Sequence, residues 1–158
     1  MDRERVESIL MQAANGKLRD TTKPLNENDS LLTTFIFKEG NGTPLTFESV
    51  DLWGPGIWIV GAVGAPYGGQ VVGFGLGIED HNAQPGSIHK IGIGQTASAI
   101  LNIDGPGNLA DDGYYYLKEV DIGKDSVFFK GNAIFSATVT GIRYTVVCPE
   151  IRIKRRRG

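Results

Sequence analysis

From Leu52 to Ile78 the chain runs 27 residues without a charge, and nine of them are glycine: LWGPGIWIVGAVGAPYGGQVVGFGLGI. A segment this apolar has to be buried in protein or in lipid, and its glycines narrow the means. In a helix each glycine costs about 1 kcal/mol relative to alanine, and Pro66 would interrupt the hydrogen-bond ladder. The length does suffice to cross a bilayer, for which roughly 20 apolar residues are needed, and Gly69, Gly73 and Gly77 repeat the GxxxG spacing of membrane helix contacts. Against a helix stands the strict alternation of Val72, Phe74, Leu76 and Ile78 with Gly73, Gly75 and Gly77. That period of two belongs to a strand. The stretch therefore reads as two buried strands, 57–63 and 71–78, joined by a turn at Ala65-Pro66-Tyr67-Gly68-Gly69. One face of the second strand is bulky and the other bare. A bare glycine face lets another backbone come close, or lets a sheet coil sharply.

The same period recurs on both sides. Leu31, Thr33, Phe35 and Phe37 alternate with Leu32, Thr34, Ile36 and Lys38, and glycine-rich turns separate further short runs at 88–93, 114–121, 126–137 and 139–148. Residues 98–103 fit a strand or one short helical turn. Gly131 and Gly141 are expected to bulge or bend their strands. Even spacing of this kind predicts an all-β fold of roughly eight to ten strands. A small antiparallel barrel is expected ahead of a sandwich, because closure removes sheet edges. Ahead of it, Asp2 is a helix cap, and Val6, Ile9, Leu10 and Ala13 form one narrow apolar stripe, predicting an amphipathic N-terminal helix to about Leu18. The organisation expected is a helix and linker over 1–28, one β-domain over 29–150, and a basic tail over 151–158.

A single cysteine, Cys148, excludes an intrachain disulfide. The net charge of −2 conceals a division: residues 29–149 carry six basic and twelve acidic side chains, while 150–158 carry five basic and one acidic. An acidic body disfavours nucleic acid as a partner. No apolar h-region follows Met-Asp-Arg-Glu-Arg, so the expected location is cytoplasmic, or export without a cleaved signal peptide.

Chemistry-bearing groups are sparse. Gly92-Ile93-Gly94-Gln95-Thr96-Ala97 fits G-x-G-x-x-A, but the motif needs a full helix next, and Gly105-Pro106-Gly107 cuts it short. No cofactor is expected. His81, His89 and Asp80 flank one polar loop, and an open three-ligand metal site or a small hydrolase centre is the reaction-bearing alternative they suggest. Asp104, Asn108, Asp111 and Asp112 offer oxygens for calcium, or simple turn chemistry. No G-x-S-x-G elbow is present. For partner contact, Tyr114, Tyr115 and Tyr116 stand out, with Tyr114 and Tyr116 on one face and Tyr115 on the other. The basic run Lys154, Arg155, Arg156 and Arg157 suits an anionic surface. These features lead to a non-enzymatic β-domain that binds an apolar small molecule or an anionic membrane surface. The alternatives are a self-associating, homo-oligomeric subunit of a secreted or phage-like assembly, and the small enzyme built on His81, His89 and Asp80.

Overall fold

The computed structural model describes residues 22–24, 31–38, 41–47, 49–53, 56–124 and 126–157. The predicted N-terminal helix lies outside them. Among the described residues twelve strands occur in this order: β1 Thr22–Pro24, β2 Leu31–Lys38, β3 Asn41–Leu45, β4 Ser49–Trp53, β5 Ile57–Tyr67, β6 Gln70–Glu79, β7 Ser87–Lys90, β8 Ala97–Ile103, β9 Asn108–Leu109, β10 Asp112–Ile122, β11 Ser126–Val139 and β12 Ile142–Arg157. A 3-10 turn, Asp80–Asn82, follows β6. The fold is all-β and antiparallel. A seven-stranded sheet runs β3-β2-β12-β11-β10-β7, with β1 also on β12, and a five-stranded sheet runs β4-β5-β6-β8-β9.

No closed barrel forms among these residues, which corrects the preferred expectation. Most strands do pair with their chain neighbours, and β12 returns to β2. The ladder breaks where the chain passes from one sheet to the other. Leu45 pairs with Thr34 in the larger sheet, and Ser49, four residues on, pairs with Val63 in the smaller. At the corner between β9 and β10 the switch takes one residue: the Ala110 amide donates to the Ala99 carbonyl, and the Asp111 amide donates to Ser136 in the other sheet. A bent strand cannot hold a regular ladder on both sides at once, so the outcome is two sheets joined at corners.

Several local expectations change with it. Strand β5 continues past Val63 through a register shift at Gly64, whose φ of 100° suits only glycine, so the turn shrinks to Gly68-Gly69. Residues 98–103 belong to a strand, β8. The boundary drawn after Glu150 falls inside β12, where Lys154, Arg155 and Arg156 pair with Phe128, Val127 and Ser126 of β11. Arg155, Arg156 and Arg157 also pair with Pro24, Lys23 and Thr22. The basic run is thus a sheet strand over most of its length.

The two sheets bury their facing sides against each other. Trp58, Val60, Phe74, Leu76 and Ile78 of the smaller sheet share one cluster with Phe129, Phe135, Val146, Ile151 and Ile153 of the larger. Rings bridge the layers: Trp58 to Phe129 at 5.9 Å, Phe74 to Phe135 at 5.8 Å and Tyr67 to Tyr144 at 6.2 Å between centroids. Gly131 marks the tightest backbone approach in the larger sheet. A Cβ there would fall against the Tyr116 carbonyl oxygen, at the place where the pairings of β10 with β11 and of β11 with β12 both shift register.

Two predictions follow from this packing. Phe74 is fully buried, and Phe74→Ala should lower the unfolding free energy in urea by about 3–5 kcal/mol, the range for a buried aromatic truncated to alanine. Gly131→Ala should cost about 1–3 kcal/mol or more, as overpacking does, because the obstacle is backbone. A thermal melt unchanged from the parent protein would show that β10 and β11 can move apart there.

Candidate functional site

The sequence placed its candidate chemistry around the loop between β6 and β7. The structure gives each of those groups a separate partner. Asp80 Oδ1 accepts a hydrogen bond from Trp58 Nε1 at 2.9 Å, so this carboxylate anchors the core tryptophan. His81 Nδ1 lies 3.3 Å from Glu79 Oε2 and is largely exposed. His89 uses both ring nitrogens, with Nδ1 3.0 Å from Thr96 Oγ1 and Nε2 2.8 Å from Ser87 Oγ. Among the described residues, no three His, Cys, Asp or Glu side chains are placed to hold a metal ion. His81, His89 and Asp80 are therefore not brought together.

The Ser87–His89 contact is the closest approach to a catalytic pair, and its polarity decides what it does. The Ser87 hydroxyl donates to the Gln84 carbonyl oxygen. His89 Nε2 must then donate to Ser87 Oγ, and Nδ1 accepts from the Thr96 hydroxyl. A general base activating serine needs the reverse, with the serine proton directed at the ring. The chain Thr96, His89, Ser87, Gln84 instead ties the turn after β6 and the loop before β8 to β7. Burial lowers the His89 pKa from its ordinary 6.5, against a weaker opposing backbone hydrogen bond at Asn82.

The acidic loop resolves into turn chemistry. Asn102 Oδ1 accepts from the Gly105 amide, Asn108 Nδ2 donates to the Pro106 carbonyl, and Asp112 Oδ1 accepts from the Gly113 amide. Asp111 is gripped by Arg143 through two hydrogen bonds, Nη1 to Oδ2 at 2.9 Å and Nη2 to Oδ1 at 2.7 Å. That pairing holds the Asp111 carboxyl below its usual range. It joins the corner between β9 and β10 to the start of β12. Spacing alone could not reveal it, since 32 residues separate the partners. The G-x-G-x-x-A segment is a turn closed by the Gln95 amide on the Gly92 carbonyl, with strand β8 after it. Nearby, a cleft of about 40 Å³ lies among Ile57, Glu79, Gln95 and Thr96, room for little more than water.

Cys148 is buried, 3.6 Å from Thr34 Oγ1, and its thiol is pushed up to about 12 by that burial. It stays protonated and unreactive at neutral pH. Tyr115 is also buried, and loss of water raises its phenol above the ordinary range. Its neighbours face outward as the alternation requires: Tyr114 is 54% exposed and Tyr116 half-buried. Register extends this outer surface. Tyr114 pairs with Lys90 and Ile134, Ile134 with Val147, and Val147 with Phe35, while Tyr116 pairs with Ile88. Ile88 is 67% and Ile134 44% exposed. Sequence reasoning missed Ile88 and Ile134, because only strand pairing sets them beside the tyrosines. Toward the other end of the same face lie exposed Lys154 and Glu119 and half-buried Lys130 and Arg152.

No helix among the described residues is long and apolar enough to cross a membrane. No family model, curated protein or solved structure matches the chain.

The lowered His89 pKa has a testable consequence. The folded state prefers neutral imidazole, so its contribution to stability is complete above about pH 6.5 and is lost as pH falls below that value, where the unfolded chain binds the proton more readily. Proton NMR should show His89 titrating below 6.5, and urea melts should show stability declining from about pH 7 to pH 5. His89→Gln should flatten that decline. A slope unchanged in the variant would assign it to other groups.

Proposed function

We propose that this protein is a non-enzymatic β-domain that associates with anionic membrane surfaces through the outer face of its larger sheet. The observation that carries the reading is the run of exposed apolar side chains Ile88, Tyr114 and Ile134 on three adjacent strands. Single exposed apolar residues are ordinary, whereas contiguous ones mark contact surfaces. Tyrosine suits a membrane interface because its ring is apolar and its tip polar. Lys90 stands beside Tyr114, and Lys154 carries charge on the same face. Each basic group near an anionic surface contributes about 1 kcal/mol, acting within a Debye length of about 8 Å at physiological salt. Glu119 and Asp121 oppose this attraction, so charge alone would not suffice, and an apolar anchor supplies the second contact. An enclosed apolar ligand is disfavoured, because rings from both sheets meet across the interior.

The structural-subunit reading draws support from the same patch. Pairing of sheet edges between copies is less favourable on the β3 side, where Pro44 lies in the outer strand and cannot donate to a ladder.

Co-sedimentation of the full chain with phosphatidylserine-containing vesicles at low salt tests the proposal. The intact protein should pellet with these and much less with neutral phosphatidylcholine vesicles. Replacing Ile88 and Tyr114 together by serine should weaken binding about tenfold or more, because several buried methylene equivalents are lost at about 0.8 kcal/mol each. Protein that stays in the supernatant with both vesicle types refutes the membrane reading. Concentration-dependent mass in light scattering would then favour self-association.

A further inference from the structure

The tip of the β2–β3 hairpin carries a reactive pair. Asn41 is followed by Gly42, and both are exposed. An asparagine before glycine tends to lose its amide. The following backbone nitrogen attacks the side-chain carbonyl carbon, and glycine has no side chain to obstruct the ring that forms. The fold decides whether the attack is open. The nitrogen has to turn toward the side chain, so a ladder hydrogen bond on it, or a bond that holds the side-chain amide, opposes the reaction.

Register leaves the Gly42 nitrogen outside the ladder. Lys38 pairs with Asn41 and Phe37 with Gly42. Only two residues lie between Lys38 and Asn41, so these two close the turn as a hydrogen-bonded pair, and the next pair is of the other kind. The Gly42 N–H therefore points away from β2. Among the described residues β3 is the outermost strand of its sheet, so no ladder lies on that side to receive it. Glycine stands at this position for a packing reason, because the Phe37 ring occupies the space a Cβ would need.

The other asparagines of the described residues are held. The Ala83 amide, which would attack Asn82, donates to the Asp80 carbonyl. Asn102 is buried, its Oδ1 accepts from the Gly105 amide, and branched Ile103 follows it. Asn108 Nδ2 donates to the Pro106 carbonyl, and Leu109 follows. Asn132 is exposed but lies in β11 between β10 and β12, with buried Ala133 after it.

We infer that Asn41 is a site of spontaneous deamidation that loosens the tip of this hairpin. The Gly42 nitrogen loses its proton and bonds to Asn41 Cγ, the bond from Cγ to Nδ2 breaks, and ammonia leaves with that proton. Water then opens the cyclic imide at either carbonyl, giving aspartate or isoaspartate. No oxidant, reductant or enzyme enters the balance. Isoaspartate adds a methylene to the backbone, so the pairing of Asn41 with Lys38 is lost while buried Leu45 still anchors the far end of β3. The inference is independent of the membrane reading, since water is the only co-reactant.

The test is to incubate the folded full chain at mildly alkaline pH and map its peptides by tandem mass spectrometry. Asn41 should convert progressively, yielding isoaspartate as well as aspartate, while Asn82, Asn102, Asn108 and Asn132 keep their amides. Asn15, which also precedes a glycine, falls in a different tryptic peptide and does not enter the reading. Retention of the Asn41 amide overturns the inference. So does conversion of the other four at the same rate, which would mean that the fold does not select, and so does aspartate without isoaspartate, which would exclude the ring. Gly42→Ser should slow the conversion, and a rate equal to that of the parent chain counts against ring closure. The isoaspartate reading is made on the parent chain and does not depend on how the variant folds. In converted chain, hydrogen exchange at the Lys38 amide should rise about tenfold or more while Phe135 stays protected. Unchanged exchange at Lys38 overturns the loosening.

Discussion

The ring of Phe74 stands between Phe47 at 5.2 Å and Phe135 at 5.8 Å, at the level where the two sheets meet. Much else in the fold depends on that contact. Both layers turn one face of every long strand toward it, and the inward residues of β5, β6, β8, β10, β11 and β12 make a single cluster. With the interior occupied by rings and branched side chains, chemistry and recognition are left to the outer faces and the corners. Aromatic pairs of this geometry add about 0.5–1.5 kcal/mol each beyond the area they bury, so the layers are held by specific contacts as well as by loss of water.

Glycine does two different jobs around this core. In β6 it strips one face of the strand, so that the sheet is bulky inside and smooth outside. At Gly131 it lets β11 lie against the Tyr116 carbonyl where the ladder shifts register. The first job shapes a surface and the second shapes the sheet. Neither is conformational freedom in a loop, although glycine supplies that too at Gly68-Gly69, where both residues have positive φ.

The polar groups that suggested chemistry are spent on the corners. Asp80 holds Trp58, His89 links Thr96 to Ser87, and Arg143 grips Asp111 where the chain leaves one sheet for the other. A corner interrupts the backbone ladder, and side chains replace part of what it loses. Residues of reactive type thus gather at the loops for a structural reason, which is why loop composition alone pointed toward a metal or catalytic site.

Local pattern determined a good deal of this protein. Alternation identified β2, β6 and β10 as strands, set Phe74 inward, and divided Tyr114 and Tyr116 from Tyr115. All of this follows because the pleat repeats every two residues whatever the strand pairs with. Tertiary structure decided the rest. Whether the strands close into a barrel depends on where the chain bends between sheets, and consecutive residues Ala110 and Asp111 bond to opposite sheets without any mark in the sequence. The basic run looked like a free end because charge argues for solvent, yet β11 and β1 supply partners on both sides. Ile88 and Ile134 join Tyr114 across strands distant in the chain. A side chain's face is a local property, whereas its neighbours are settled only when strands far apart in sequence pair.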